Sequence, residues 1–200
     1  MEGGKDPGCV GQVAECAVPV SVCTIHQTCI YTLTEAIRYL DHHPEYSAYL
    51  GGKTPLSQDP DAPEDEGEVK TRRGFQELLS LLLLNSALAA IKLAGPINSR
   101  IAISLTNRAV DVAPSDADRG RHSRSMRRYR IMTIILAKGL YRRALARVAL
   151  KEEEAEAEKD LVEATKLVND QAISSELEKV RAIIKAKKER EKAKFKKMFA

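Results

Sequence analysis

Two cations stand one helical turn apart in the second half of the chain. Lys138 and Arg142 are four residues apart, so they lie on one face if the segment is helical. They repel each other slightly, and a bound carboxylate would replace this cost with charge-assisted hydrogen bonds worth about 1.5–3 kcal/mol each. Arg142 offers a planar guanidinium, and Lys138 offers a compact charge. The alternative interpretation is a solvated helix face, the usual environment of charged side chains.

A polar residue also interrupts the most apolar segment of the chain. Asn85 stands between Leu84 and Ala87, where an amide is costly unless a partner satisfies it. Its amide hydrogens could be donated from a helix that faces the two cations. Asn85 is therefore more telling evidence for a binding site than the two cations are.

The C-terminal thirty residues are strongly basic. Residues 171–200 contain ten Lys and Arg against four Glu, and three bulky apolar residues lie near the end: Phe195, Met198 and Phe199. Such a helix could dock calmodulin or an acidic membrane surface. The interpretation we favour is a capping helix that projects into solvent, as the ends of helical repeat arrays require.

Other candidate sites are weaker. Cys9, Cys16, Cys23 and Cys29 are six or seven residues apart, unlike the closer pairs of structural zinc sites, so we favour an irregular leader and expect no metal. The run from Arg119 to Arg130 has six arginines and no acid; it is either a nucleic-acid arm or, as we favour, an inserted loop. No phosphate-binding loop, Ser-His-Asp set or H-E-x-x-H motif is present, so we expect no catalytic residue and no cofactor.

Composition favours helices. Aromatic residues make up 4% of the chain and Trp is absent, whereas Leu and Ala are abundant. The 17 apolar-rich residues from Leu78 to Ala94 are too few to span a bilayer, so they indicate a buried helix. No signal peptide is visible, and the cysteines are confined to the leader, so a reducing, cytoplasmic location is expected. Periodicity and breakers predict six helices, which are about 31–43, 73–94, 98–113, 137–150, 153–167 and 171 to the end.

Two of the predicted helix pairs share a pattern. Small residues recur in both helices of each pair, in the manner of tetratricopeptide (TPR) repeats. The segments 36–41, 83–87, 138–144 and 191–200 resemble the C-terminal half of cyclophilin-40-type peptidyl-prolyl isomerases, particularly fungal ones. This resemblance implies an all-α, tetratricopeptide-like array of antiparallel helical hairpins with a long C-terminal capping helix.

The resemblance also divides the chain. The expected parts are an irregular leader (1–30), helix B of a partial first repeat (31–50), an acidic flexible linker (51–72), a second repeat (73–114), an Arg-rich insertion (115–136), a third repeat (137–169) and the basic capping helix (170–200).

In function, the resemblance implies a carboxylate clamp. Asn85, Lys138 and Arg142 match clamp positions that hold the acidic C-terminal tail of heat shock protein 90-class chaperones, and Arg143 is expected beside the groove. The clamp Lys and Asn of the family's first repeat have no counterpart, so weakened binding is expected. The family's cyclophilin domain, which carries the isomerase activity, also has no counterpart. The alternatives are a peptidyl-prolyl isomerase represented without its catalytic domain, and a basic nucleic-acid-binding or calmodulin-binding helical protein.

Overall fold

The chain folds into a series of helices. The computed structural model describes residues 20–44, 66–112, 126–151 and 153–199, and within these ranges no strand occurs. The helices are α1 (Val20–His42), α2 (Glu66–Leu93), α3 (Pro96–Val112), α4 (Met126–Leu150), α5 (Glu154–Leu167) and α6 (Gln171–Met198). The expected all-α array is therefore confirmed, with six helices in the described ranges.

Each helix packs against the next one along the chain, and α2 also contacts α4. The tightest reversal joins α2 to α3 through two residues with positive φ, Ala94 at 53° and Gly95 at 86°. Glycine adopts this left-handed conformation without steric cost, and Pro96 then starts α3 with its φ already fixed in the helical range. The short turn makes α2 and α3 an antiparallel hairpin.

The core shows that α2 and α4 run in the same direction. One cluster joins Leu79 and Leu83 of α2 to Met132 and Ile135 of α4. A second cluster joins residues further along both helices, Ala87 and Ala90 of α2 with Ala146 of α4. Because the chain advances on both helices between the two clusters, α2 and α4 are parallel neighbours, with α3 antiparallel to both. A third cluster, made by α4, α5 and α6, continues the array.

Three predicted boundaries are wrong. α1 begins at Val20, so residues 20–30 of the expected leader are helical, and α2 begins at Glu66 within the expected linker. The expected insertion 115–136 is wrong from Met126 onward, where α4 begins. The apolar burst there is a core-facing stripe, with Met132 and Ile135 buried against α2. The rest of the leader, linker and insertion lies outside the described residues.

The apolar helix α2 is a core element. By length and composition alone, Lys70–Leu93 could cross a membrane, and 44% of its most apolar window is buried in the protein. Leu79, Leu83 and Leu84 are at most 2% exposed, in the same cluster as side chains of α1, α3 and α4. The buried helix expected from the sequence is thus present.

Candidate peptide-binding face

The seam between α2 and α4 is closed by a glycine. A Cβ added at Gly139 would lie 3.3 Å from Val110 Cγ2 and 3.6 Å from Leu84 Cδ2, so a larger side chain would press α4 away from both neighbours. Gly139 therefore lets α4 approach α2 and α3 closely. This contact fixes the register of the flanking residues Lys138 and Arg142 against α2.

Arg142 is anchored at this seam. It is half-buried, and its Nη1 donates a hydrogen bond to the backbone carbonyl of Leu84 at 2.5 Å. Burial lowers the pKa of Arg142 below its usual value, because the charged form loses hydration. An arginine stays protonated through such a shift at neutral pH. The charged guanidinium is therefore fixed against Leu84, the residue that precedes Asn85.

Lys138 and Asn85 are exposed to solvent. Neither side chain makes a hydrogen bond or ion pair within the described parts of the chain. The amide of Asn85 lies on the solvent side of α2, so it carries no burial cost that a partner within the chain would have to offset. Both side chains are therefore available to a ligand.

Helix geometry places these residues on one side of the α2–α4 pair. A helix turns by about 100° per residue, so Asn85 follows the seam residue Leu84 by about +100°, whereas Lys138 precedes the seam residue Gly139 by about −100°. On two parallel helices that face each other, these opposite rotations point to the same side. The structure thus brings Asn85, Lys138 and the edge residue Arg142 to a single face.

Apolar side chains continue the same face toward the N-termini of α2 and α4. Leu78 and Leu81 precede Asn85 at helical spacing, and Ile131 and Ile134 precede Lys138 in the same way. All four are between 37% and 46% exposed. We call these four residues together with Asn85, Lys138 and Arg142 the α2–α4 face. It combines an apolar half with a cationic half.

An ion-pair network that sequence reasoning missed lies behind this face. Asp160 of α5, whose side chain is 5% exposed, accepts hydrogen bonds from Arg143 Nε at 3.0 Å and Arg143 Nη2 at 2.6 Å. Arg147 Nη1 adds a third at 2.6 Å. Arg143 also reaches Asn107 of α3 at 3.0 Å, and Arg147 Nε lies 3.2 Å from a carboxylate oxygen of Glu153. Arg143 therefore ties α3, α4 and α5 together.

The sequence did contain a signal for this network. Asp160 stands between Ala157, Leu161 and Ala164 on the buried stripe of α5. A carboxylate at a core-facing position requires a cation, and Arg143 and Arg147 are the pair one turn apart on the facing helix.

The cysteines for which we expected no metal site lie only partly within the described residues. Within the described residues no group of three or more His, Cys, Asp or Glu side chains could hold a metal ion. Cys29 is a free, exposed thiol. Cys9 and Cys16 lie outside the described residues, and nothing is described of the Cys23 side chain.

The fold and the α2–α4 face define a class of protein region: an array of helical hairpins whose neighbouring parallel helices offer one partly apolar, partly cationic face. Over 168 residues the chain is 36% identical to "Peptidyl-prolyl cis-trans isomerase D" of Cryptococcus neoformans var. neoformans serotype D strain JEC21 / ATCC MYA-565. It is equally similar to the protein of the same name from strain B-3501A. The resemblance to fungal peptidyl-prolyl isomerases is thus confirmed as sequence similarity.

The match covers 82% of this chain but 36% of each relative, so the chain spans about a third of the length of the curated relatives it matches. No known family model matches the chain. No solved structure matches it either.

Proposed function

We propose that this chain is a tetratricopeptide-type co-chaperone module that binds the acidic C-terminal tail of heat shock protein 90-class chaperones in the cytoplasm. The observation that carries the proposal is the shared α2–α4 face. On it, exposed Lys138 and Asn85 have no partner within the described residues, and Arg142 is held charged beside them. Similarity to fungal isomerases over 82% of the chain supports the same assignment.

The chemistry of the face suits a terminal carboxylate. Lys138 supplies a point charge, Asn85 supplies two N–H donors, and Arg142 has guanidinium donors besides the Nη1 used on Leu84. The clamp is partial, since no counterpart of the family's first-repeat Lys and Asn was recognised in the sequence.

The apolar half of the face adds a requirement on the ligand. Ile131 lies seven residues before Lys138, which is about 10 Å along a helix. An extended peptide covers this distance in about three residues. A tail with an apolar side chain about three or four residues before its terminal carboxylate would therefore contact both halves of the face.

Calorimetry with a peptide ending in Met-Glu-Glu-Val-Asp tests the proposal. Lys138→Ala should weaken binding about 10- to 100-fold, because one charge-assisted contact is lost. Arg142→Lys keeps the charge and loses the planar donor set, so it should weaken binding less than Arg142→Ala does. Lys166→Ala removes an exposed cation on α5 and serves as the matched control.

A peptide with an amidated C-terminus separates carboxylate recognition from general attraction to acidic residues. If it binds as tightly as the free acid, or if Lys138→Ala and Lys166→Ala behave alike, the clamp assignment is wrong. Circular dichroism of each variant verifies that the helices remain folded.

A second candidate function is peptidyl-prolyl isomerisation, which the name of the curated relatives favours. In the family this activity resides in a cyclophilin domain, and the described residues of this chain are helical. A proline-isomerisation assay on the 200-residue chain distinguishes the two candidates. Clear turnover would show that the chain is an enzyme in its own right.

A further inference from the structure

The last helix extends beyond the helix on which it packs. Lys187 Nζ contacts a carboxylate oxygen of Glu154, the first residue of α5, at 3.1 Å, and Arg181 Nε contacts Glu158 at 2.8 Å. The two helices are therefore antiparallel, and residues after Lys187 pass the start of α5. Residues 188–199, which we call the projecting segment, are all exposed. At 1.5 Å per residue they extend about 16 Å beyond the first residue of α5.

The projecting segment combines charge with exposed apolar side chains. It contains six Lys and Arg against two Glu. Phe195, Met198 and Phe199 are 60%, 67% and 86% exposed. An α-helical rotation of 100° per residue places these three within an arc of about 100°, with Lys194 and Lys196 on either side of it. The end of α6 thus has a compact apolar tip surrounded by cations.

The extent of this apolar face decides which kind of partner fits. A helix that fills a protein groove needs apolar anchors repeated over several turns. Here the face that carries Phe195 continues backward through Lys192, Glu191 and Lys188, which are charged and exposed. An anionic bilayer needs less, namely a few apolar side chains at headgroup depth and cations against the lipid phosphates.

We propose that the projecting segment is a docking surface for an anionic phospholipid bilayer. Phe195, Met198 and Phe199 enter the interface, and the neighbouring lysines pair with lipid headgroups. The short apolar tip makes the binding reversible and sensitive to salt. The surface is separate from the α2–α4 face, so Lys138→Ala should leave lipid binding unchanged.

Vesicle co-sedimentation of the full chain provides the first test. Phosphatidylcholine vesicles with about 30% phosphatidylserine should retain the chain in about 0.1 M salt, whereas phosphatidylcholine alone should not. Replacing Lys194, Lys196 and Lys197 by Gln should weaken binding by about fivefold for each lysine, roughly 100-fold in total.

The matched control makes the same change in net charge on the packed array. Lys159, Lys166 and Lys179 are exposed lysines of α5 and of the packed part of α6, and their replacement by Gln should change vesicle binding about twofold or less. If both triple variants lose binding equally, net charge accounts for the binding and the proposal is overturned.

Insertion of the tip has its own spectroscopic readout. The chain has no Trp, so Phe195→Trp introduces a single fluorophore at the proposed contact. Its emission should shift to the blue with phosphatidylserine-containing vesicles and stay unshifted with phosphatidylcholine. An unshifted emission with both kinds of vesicle overturns the proposal. A chain that does not bind vesicles but binds a calcium-loaded acidic protein or duplex DNA also overturns it.

Discussion

Removing the carboxylate of Asp160 should destabilise the protein strongly, because that side chain holds two arginines at once. It accepts three hydrogen bonds of 2.6–3.0 Å from Arg143 and Arg147, and its side chain is 5% exposed. The side chains of both arginines are 16% exposed. Asp160→Ala would leave two poorly hydrated cations facing each other.

The expected size of this loss follows from the geometry. Breaking a buried ion pair by removing one partner costs about 3–5 kcal/mol. Arg143 would keep its hydrogen bond to Asn107, and Arg147 would keep its ion pair with Glu153. These remaining contacts offset part of the loss, so we expect a decrease of about 3 kcal/mol in the free energy of unfolding.

Urea denaturation followed by far-ultraviolet circular dichroism measures this change, and Glu158→Ala is the matched control. Glu158 is on the same helix and pairs with Arg181, but the two side chains are 33% and 57% exposed. Such an exposed pair contributes at most about 1 kcal/mol. If Asp160→Ala costs no more than Glu158→Ala, the network does not hold α4 and α5 together.

A triple replacement separates ion pairing from packing. Changing Arg143 and Arg147 to Met and Asp160 to Leu removes all three charges together and should restore most of the stability lost in Asp160→Ala. A triple variant less stable than Asp160→Ala would contradict the claim that the unpaired cations cause the loss.

Three further changes test other contacts. Gly139→Leu should lower the free energy of unfolding by about 1–3 kcal/mol in urea melts, because the side chain overpacks the seam; an unchanged value would mean that α4 does not approach α2 so closely. Burial raises the pKa of Glu154, but a backbone hydrogen bond and Lys187 outweigh it, so this pKa lies below the usual 4.5. The stabilisation is therefore present above pH 4.5 and is lost as the pH falls through the lowered value, and Glu154→Gln should flatten the stability curve in that window. The Ser80 hydroxyl is buried without a partner in the described chain, so Ser80→Ala should stabilise the protein by about 1 kcal/mol in thermal melts. The control Ser86→Ala loses a hydrogen bond to a backbone carbonyl, so it should not stabilise the protein.

Individual residues show how far the sequence leads toward the site. The four-residue spacing of Lys138 and Arg142 predicts a shared helix face, and both residues do flank the seam of α4. The difference between them could not be predicted: Arg142 lies against the Leu84 carbonyl and is half-buried, whereas Lys138 is exposed. The position of a side chain relative to a neighbouring helix depends on interhelical packing, which periodicity along one helix does not contain. The same limit applies to Asn85, whose apolar neighbours in sequence suggest burial and which is exposed in the structure.

The sequence by itself determined the class of fold and the succession of helices. The abundance of Leu and Ala, the turn signal at Gly95 and Pro96, and the apolar periodicities are local properties, and local properties are sufficient to define helices. Only the tertiary structure decided that the apolar run after Arg130 is part of α4, that Asp160 is buried between two arginines, and that α2 and α4 present one common face. Each of these depends on contacts between residues far apart in the chain, and the free energy of those contacts arises when the helices pack.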